Sequence, residues 1–290
     1  MKIVKIIGGL GNQMFQYALA MALKKNFTEE EVKLDIHCFK GYRKHQGFEI
    51  DKVFGNKFNL ASYCDTAKVA YPYFNFQSWR FGSRILPNRR YMISEDTTFR
   101  MMPQAIINPN YKYYDGYWQH EEYFEDIHQD IVNAFKFKEF EDKRNKDLAI
   151  RLSDNNSVSI HIRKGDYIKD RLFKGTCGIE YYQKAIDEIN KKTVPALFCI
   201  FSDDIHWCKE NIEPLLNGKE TIYVDWNTGH ENYRDIQLMT KCKHNIIANS
   251  SFSWWGAWLN NSKGKIVIAP KRWYNTKEKV SPAANSWIKL

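Results

Sequence analysis

Ser157-Val158-Ser159-Ile160-His161-Ile162-Arg163-Lys164-Gly165-Asp166-Tyr167 alternates polar and apolar side chains and then breaks at a glycine. A strand has a side-chain period of two, so His161 and Arg163 point one way while Ile160 and Ile162 face the opposite, buried side. Gly165 lets the chain turn, and Asp166 lies just beyond it. An arginine at a strand end is always charged and presents a planar fork of donors matched to phosphate oxygens, so Arg163 reads as an anion clamp. The competing reading of the same stretch is a surface salt bridge between Arg163 and Asp166.

Downstream the pattern becomes regular. Strands are expected over 157–162, 196–201, 221–224, 245–248 and 265–268, with helices over 179–191, 207–216, 233–242 and 252–260 between them. Such alternation implies βαβ units and a parallel sheet whose ligands gather at the carboxyl ends of the strands. Upstream, 2–7 reads as a strand, Gly8-Gly9-Leu10-Gly11 as a tight turn, 12–25 as a helix and 32–36 as a second strand. Between 41 and 110 the periodicity is poor. Phe124, Ile127, Ile131 and Phe135 have helical spacing, which predicts a helix over 121–137, and a charged stretch follows it. The expected organisation is α/β throughout, with an N-terminal domain over 1–150 and a doubly wound, Rossmann-like domain over 151–290.

The bulk properties narrow the function classes. Lys and Arg outnumber Asp and Glu by 43 to 34, a net charge of +9, which favours acidic ligands or an anionic surface. No RNA-recognition or helix-turn-helix signature accompanies that charge, so nucleic acid is not an expected partner. The cysteines, Cys38, Cys64, Cys177, Cys199, Cys208 and Cys242, form neither a Cys-x-x-Cys pair nor a Cys/His cluster with zinc spacing. Unpaired thiols in a reducing compartment are expected. The N-terminal stretch lacks a signal-peptide core, and no run approaches the roughly 18 apolar residues of a membrane span. A cytoplasmic protein is expected, with its positive charge allowing peripheral contact at the inner face of a membrane.

Three loops in the second half place polar groups at strand ends. Beyond His161 and Arg163 these are Ile200-Phe201-Ser202-Asp203-Asp204 and Ala248-Asn249-Ser250-Ser251-Phe252-Ser253-Trp254-Trp255-Gly256-Ala257-Trp258. The second of these passes from a strand into a helix, aiming hydroxyls and free N–H groups at the positive end of the dipole. Taken singly, Asn249, Ser250 and Ser251 are N-cap residue types, and Trp254 and Trp258, one turn apart, suit core packing. Taken together, a cation, an acid pair and a helix start on one sheet suit a phosphate-linked nucleotide, with a carboxylate able to accept from a guanine edge.

These motifs resemble the α-1,2-fucosyltransferases: His161-Ile-Arg163-Lys-Gly-Asp166-Tyr167, Phe201-Ser202-Asp203-Asp204 and Asn249-Ser250-Ser251-Phe252-Ser253-Trp254-Trp255-Gly256-Ala257-Trp258. Gly8-Gly9-Leu10-Gly11-Asn12-Gln13-Met14-Phe15-Gln16-Tyr17 and Asp115-Gly116-Tyr117-Trp118-Gln119 extend the similarity over essentially the whole length in the same order. The resemblance implies a GT-B architecture of two Rossmann-like domains facing a cleft. It also implies transfer of L-fucose from GDP-fucose to the 2-hydroxyl of a terminal galactose, inverting, with no metal and no cofactor beyond the donor substrate. The acceptor would be an oligosaccharide or glycolipid, as in O-antigen or capsule synthesis. By the same resemblance Arg163 would bind the β-phosphate, His161 would lie against the nucleotide, and Asp203 with Ser202 would read the guanine. Ser250, Ser251 and Phe252 would hold the diphosphate and fucose end, and Asn12 would approach the reaction centre. The usual Arg-Arg pair of the family is here Arg163-Lys164.

Chemistry adds two expectations. Charge develops on the diphosphate as the sugar leaves, so a preorganised cation acts on the transition state. A metal held by Asp-x-Asp is another way to meet that need, and no two aspartates here have that spacing. A base must also take the acceptor proton, for which Asp115, Glu121 and Asp166 are candidates, while Tyr117, Trp118 and Gln119 suit a sugar-binding wall or the core. The rival reading is an NAD(P)-dependent oxidoreductase. Gly9-x-Gly11 follows a strand and opens a helix, and Asp35 ends the next strand, although Met14 stands where the third glycine belongs.

Overall fold

The computed structural model describes residues 1–165, 170–276 and 278–290. The chain divides into two compact units, Met1–Lys138 and Glu139–Leu290.

In the first unit, β1 (Lys2–Lys5), α1 (Leu10–Asn26) and β2 (Val32–Asp35) form a βαβ unit. Short helices α2 (Ile50–Phe54), α3 (Tyr63–Val69) and α4 (Phe76–Ile85) precede β3 (Met92–Ser94). Then come α5 (Gln104–Ile107), β4 (Tyr113–Asp115) and α6 (His128–Ala134). The strands are parallel in the order β2-β1-β4-β3. Periodicity is silent across 41–110 because most elements there are only a few residues long and the longest, α4, buries only Gly82. Two of them are nonetheless set by caps: Ser62 with Asp65 starts α3 and Asn75 with Ser78 starts α4, each a reciprocal capping box. The helix expected over 121–137 is three pieces instead. Two 3-10 turns, Glu121–Tyr123 and Glu125–Ile127, precede α6, because Phe124 swings to φ −140° and is buried beside Phe15.

The second unit opens with α7 (Lys143–Asp154) and continues β5 (Ser157–Ile162), α8 (Ile179–Lys192), β6 (Leu197–Ser202), α9 (Ile205–Asn211) and β7 (Glu220–Val224). It closes with α10 (Tyr233–Met239), β8 (His244–Ile246), α11 (Ser251–Trp258), β9 (Val267–Ala269) and β10 (Ile288–Lys289). The helix expected over 207–216 ends at Asn211, and a 3-10 turn containing Pro214 follows it. The domain division falls before α7 rather than at 150. Leu148, Ala149 and Leu152 of that helix are buried with Leu197, Cys199 and Phe201 of β6, so its apolar stripe belongs to the second sheet.

All six strands of the second sheet run parallel in the order β10-β9-β8-β5-β6-β7. The chain moves outward from β5 through β6 to β7, then returns to β8 on the other side of β5. This is a doubly wound sheet with its topological switch point between β5 and β8, where ligands of such sheets bind. Val158, Ile160 and Ile162 enter one core layer with Tyr182, Ile186 and Ile189 of α8. The other face of β5, carrying Ser157, Ser159 and His161, is buried as well. The two-residue alternation therefore holds, but it separates an apolar layer from a hydrogen-bonded polar layer.

Candidate active site

Register places the first pair. Ile162 of β5 stands opposite Ser202 of β6, so the next residues, Arg163 and Asp203, leave the sheet side by side. Arg163 Nη1 lies 3.3 Å from Asp203 Oδ2, with the two side chains 33% and 25% exposed. The other carboxylate oxygen accepts the Lys164 N–H at 2.8 Å. A Cβ on Gly165 would stand 2.7 Å from Asp203 Oδ2, so the glycine leaves room for the carboxylate to rest on this turn. Lys164 is turned away onto Trp207, its Nζ 3.5 Å from the ring centroid. Among the described residues Arg163 pairs with Asp203; the competing pairing with Asp166 lies outside the described residues.

Across the switch point, His161 Nδ1 lies 2.8 Å from Ser253 Oγ of α11, its ring centroid is 5.8 Å from that of Phe252, and its carbonyl accepts from the Tyr182 hydroxyl. Burial first, and then the Arg163 charge, push His161 down to about 3, so it is a neutral imidazole at working pH. Ser250 caps α11, its Oγ accepting the Phe252 N–H at 3.3 Å. Asn249 spans Cys177 and the Trp273 carbonyl. Ser202 Oγ accepts the Asp204 N–H, and Asp204 in turn caps α9. Of the cap readings made from residue type, the one at Ser250 holds, while Ser251 and Phe252 stay half-buried in the first turn of α11. Trp254, Trp255 and Trp258 are core. His161, Arg163, Ser202, Asp203, Ser250, Ser251 and Phe252 thus gather at the carboxyl ends of three adjacent strands. A guanidinium follows β5 and the positive end of α11 follows β8, the adjacent strand, a pairing that suits a diphosphate.

The first unit has its own constellation where β1 meets β4. Gly8 adopts φ +95°, and a Cβ there would stand 2.7 Å from the Asn12 side-chain nitrogen, so Asn12 folds tightly onto the glycine turn. Gln119 Nε2 donates to Asn12 Oδ1 at 2.7 Å, and Gln16 donates to the Gly116 carbonyl. Ile3 and Val4 pair with Tyr113 and Tyr114, which brings Lys5 beside Asp115. The Lys5 ammonium bonds one Asp115 oxygen and lies 3.6 Å from the Trp79 ring centroid; Trp79 Nε1 donates to the other oxygen at 2.9 Å. Both oxygens of Asp115 are therefore engaged, and the carboxylate serves as counter-ion to a buried lysine. Glu121 sits half-buried in its 3-10 turn. Trp118 is fully buried, a core residue rather than a sugar platform.

One residue escaped the sequence reading. Glu95, just past the three-residue β3, accepts the Tyr117 and Trp118 N–H groups at 2.8 and 3.0 Å, holding the turn in which Trp118 takes φ +58°. Burial pushes its carboxyl up to about 7. A carboxylate that pairs with backbone 22 residues away leaves no mark in periodicity or motif. Asp35, the residue that suggested a dinucleotide ribose site, is buried and bonded to the Tyr113 hydroxyl and to His37. Its carboxylate is satisfied internally, which removes the main support for the oxidoreductase reading.

The whole chain, residues 1–290, matches glycosyl transferase family 11. The chain belongs to that family, the α-1,2-fucosyltransferase family. It is 33% identical to an α-1,2-colitosyltransferase of Escherichia coli over 99% of this chain and 98% of the relative. It is 32% identical to the O-antigen biosynthesis glycosyltransferase WbnK of Escherichia coli, covering 98% of each. A galactoside α-(1,2)-fucosyltransferase 2 of Oryctolagus cuniculus is 21% identical over 88% of this chain and 66% of its own length. Among solved structures, POFUT1 in complex with GDP-fucose aligns with a TM-score of 0.47 at 13% identity, covering 92% of this chain and 97% of that one. This family 11 chain is therefore an enzyme of the glycosyltransferase class and not an oxidoreductase. Among its described residues no helix is long and apolar enough to cross a membrane.

Proposed function

We propose that this glycosyltransferase moves L-fucose from GDP-fucose to the 2-hydroxyl of a terminal galactose in a glycan, inverting the anomeric centre and needing no divalent metal. The observation that carries the reading is the Arg163–Asp203 pair at the β5/β6 end, one strand from the α11 N-terminus at the β5/β8 switch point. Asp203 holds the guanidinium and keeps acceptor capacity for donors on a guanine edge. Arg163 and the first-turn N–H groups of α11 supply fixed positive potential where the leaving diphosphate gains charge. His161, neutral and held by Ser253, shapes the pocket without adding charge next to the phosphates. Asn12, fixed by Gln119 and Gly8, serves the acceptor side. The donor substrate is the only small molecule required, and the enzyme acts in the cytoplasm, in peripheral contact with a membrane.

Because one relative bears the name colitosyltransferase, a second donor is weighed: colitose is fucose without its 3-hydroxyl. The enzyme is assayed with GDP-fucose and with GDP-colitose against a galactose-terminated oligosaccharide, with excess EDTA, and the product linkage and anomeric configuration are read by NMR. A β-linked donor giving an α-1,2 product, with GDP-fucose preferred, is expected. A preference for GDP-colitose would move the assignment to the second donor. A retained configuration, or loss of activity in EDTA, would overturn the mechanism.

A further inference from the structure

We propose that α4 and the neighbouring 40–45 loop form a docking face for a membrane surface rich in anionic phospholipid. The inner side of α4 is pinned. Gly82 is buried against Tyr73, where a Cβ would stand 2.3 Å from the ring, and Trp79 is bonded to Asp115. The outer side therefore cannot roll inward. It carries two rows at i, i+4 spacing: Phe81 with Ile85, 69% and 61% exposed, and Arg80 with Arg84. Phe74 and Leu86, just beyond either end of the helix, are 58% and 41% exposed.

The segment that carries this face has charge of one sign along its length. From Thr66 to Ser94 the chain contains Lys68, Arg80, Arg84, Arg89 and Arg90 and no Asp or Glu. The loop seated against the start of α4 is alike, with Lys40, Arg43 and Lys44 exposed and no carboxylate between Ile36 and Phe48. That loop is fixed in place: the Phe76 N–H donates to the Lys40 carbonyl at 2.9 Å, and the Tyr42 and Phe76 rings are 4.9 Å apart. Exposed apolar side chains beside basic ones are the signature of a helix lying in a membrane interface, where apolar groups enter the acyl boundary and cations meet anionic headgroups. A soluble polyanion would leave Phe81 and Ile85 without a partner. A second copy of this chain in a two-fold dimer would set arginines against arginines. The loop also runs on to Gly47, whose carbonyl accepts from Gln13 Nε2 at 2.7 Å, so the face adjoins the turn that holds Asn12. The inference deepens the peripheral contact of the functional reading by naming its surface, and a chain inactive toward GDP-fucose would still test it.

The test is flotation of the whole protein with vesicles of phosphatidylcholine alone and of phosphatidylcholine with phosphatidylglycerol. The expected result is binding to the anionic vesicles, weakened on the order of tenfold in neutral vesicles and in high salt. Phe81→Ser with Ile85→Ser, and separately Arg80→Gln with Arg84→Gln, should each weaken binding on the order of tenfold while the thermal unfolding midpoint stays put. No binding to anionic vesicles, or equal binding by either variant, overturns the proposal. So does a dimer, seen by analytical ultracentrifugation, that the serine variant dissolves, since the face would then belong to a second copy. Binding of dextran sulfate as tight as that of vesicles and indifferent to the serine variant overturns it in favour of a soluble polyanion.

Discussion

The guanidinium of Arg163 and the carboxylate of Asp203 meet at 3.3 Å because they occupy the first positions past a paired register of two parallel strands. The pair is part of the sheet's geometry continued into the loops, so the cation is aimed before any ligand arrives. Such preorganisation costs no rearrangement when charge develops on a leaving group.

Arg163→Ala is expected to leave the fold intact and lower kcat at least a hundredfold, equivalent to about 3 kcal/mol or more of transition-state stabilisation. Steady-state kinetics with saturating donor check this. Turnover within about tenfold of the parent would remove Arg163 from its role. Asp203→Asn should mainly raise the KM for donor.

GDP should raise the thermal unfolding midpoint in the presence of EDTA. At a hundred times its Kd the gain is about 2.7 kcal/mol, or several degrees for a chain of this size. NADH at the same concentration should leave the midpoint unchanged. Differential scanning fluorimetry decides, and a response to NADH alone would contradict the internal use of Asp35.

Asp115→Asn leaves the buried Lys5 ammonium without its counter-charge and should cost about 3 kcal/mol or more. Lys5→Met with Asp115→Leu should recover much of that stability. Urea unfolding measures both. A fully stable Asp115→Asn enzyme that has lost turnover would make Asp115 a base instead of a counter-ion.

Burial raises Glu49, Glu95 and Asp235 to about 7, the two glutamates from an ordinary 4.5 and the aspartate from 3.8. The folded chain therefore holds three protons that the unfolded chain gives up more readily. Their contribution to stability is present below the unfolded values and declines as pH rises toward about 7. Glu30 acts in the opposite sense: hydrogen bonds and ion pairs with Lys112 and the N-terminal amine overcome its burial and hold it at about 2, so its contribution is lost only in stronger acid. Asp235→Asn should flatten the fall in unfolding midpoint between about pH 5 and about pH 7.5 by a few degrees. An unchanged slope would show that the Asp235 carboxyl does not titrate in that window.

Legibility in the sequence followed element length. The second unit could be read almost strand by strand, because β5 and β6 are six residues long and the helices between them keep a clear stripe. In the first unit β3 and β4 span three residues each, too few to display a period, so Glu95 at the end of one was invisible. The helix foreseen over 121–137 failed because spacing alone cannot register the break at Phe124. Cap chemistry was readable at Ser250, since a cap acts within two or three residues of itself.

By itself, the sequence determined the α/β class, the ordered motifs of family 11 and the residue types offered at each strand end, because those depend on local periodicity and local turn chemistry. Only the tertiary structure decided which of them meet. Arg163 and Asp203 are 40 residues apart and Lys5 and Asp115 are 110 apart, and each pair is joined by strand register, which is set by hydrogen-bond ladders between segments distant in the chain and by nothing within either segment.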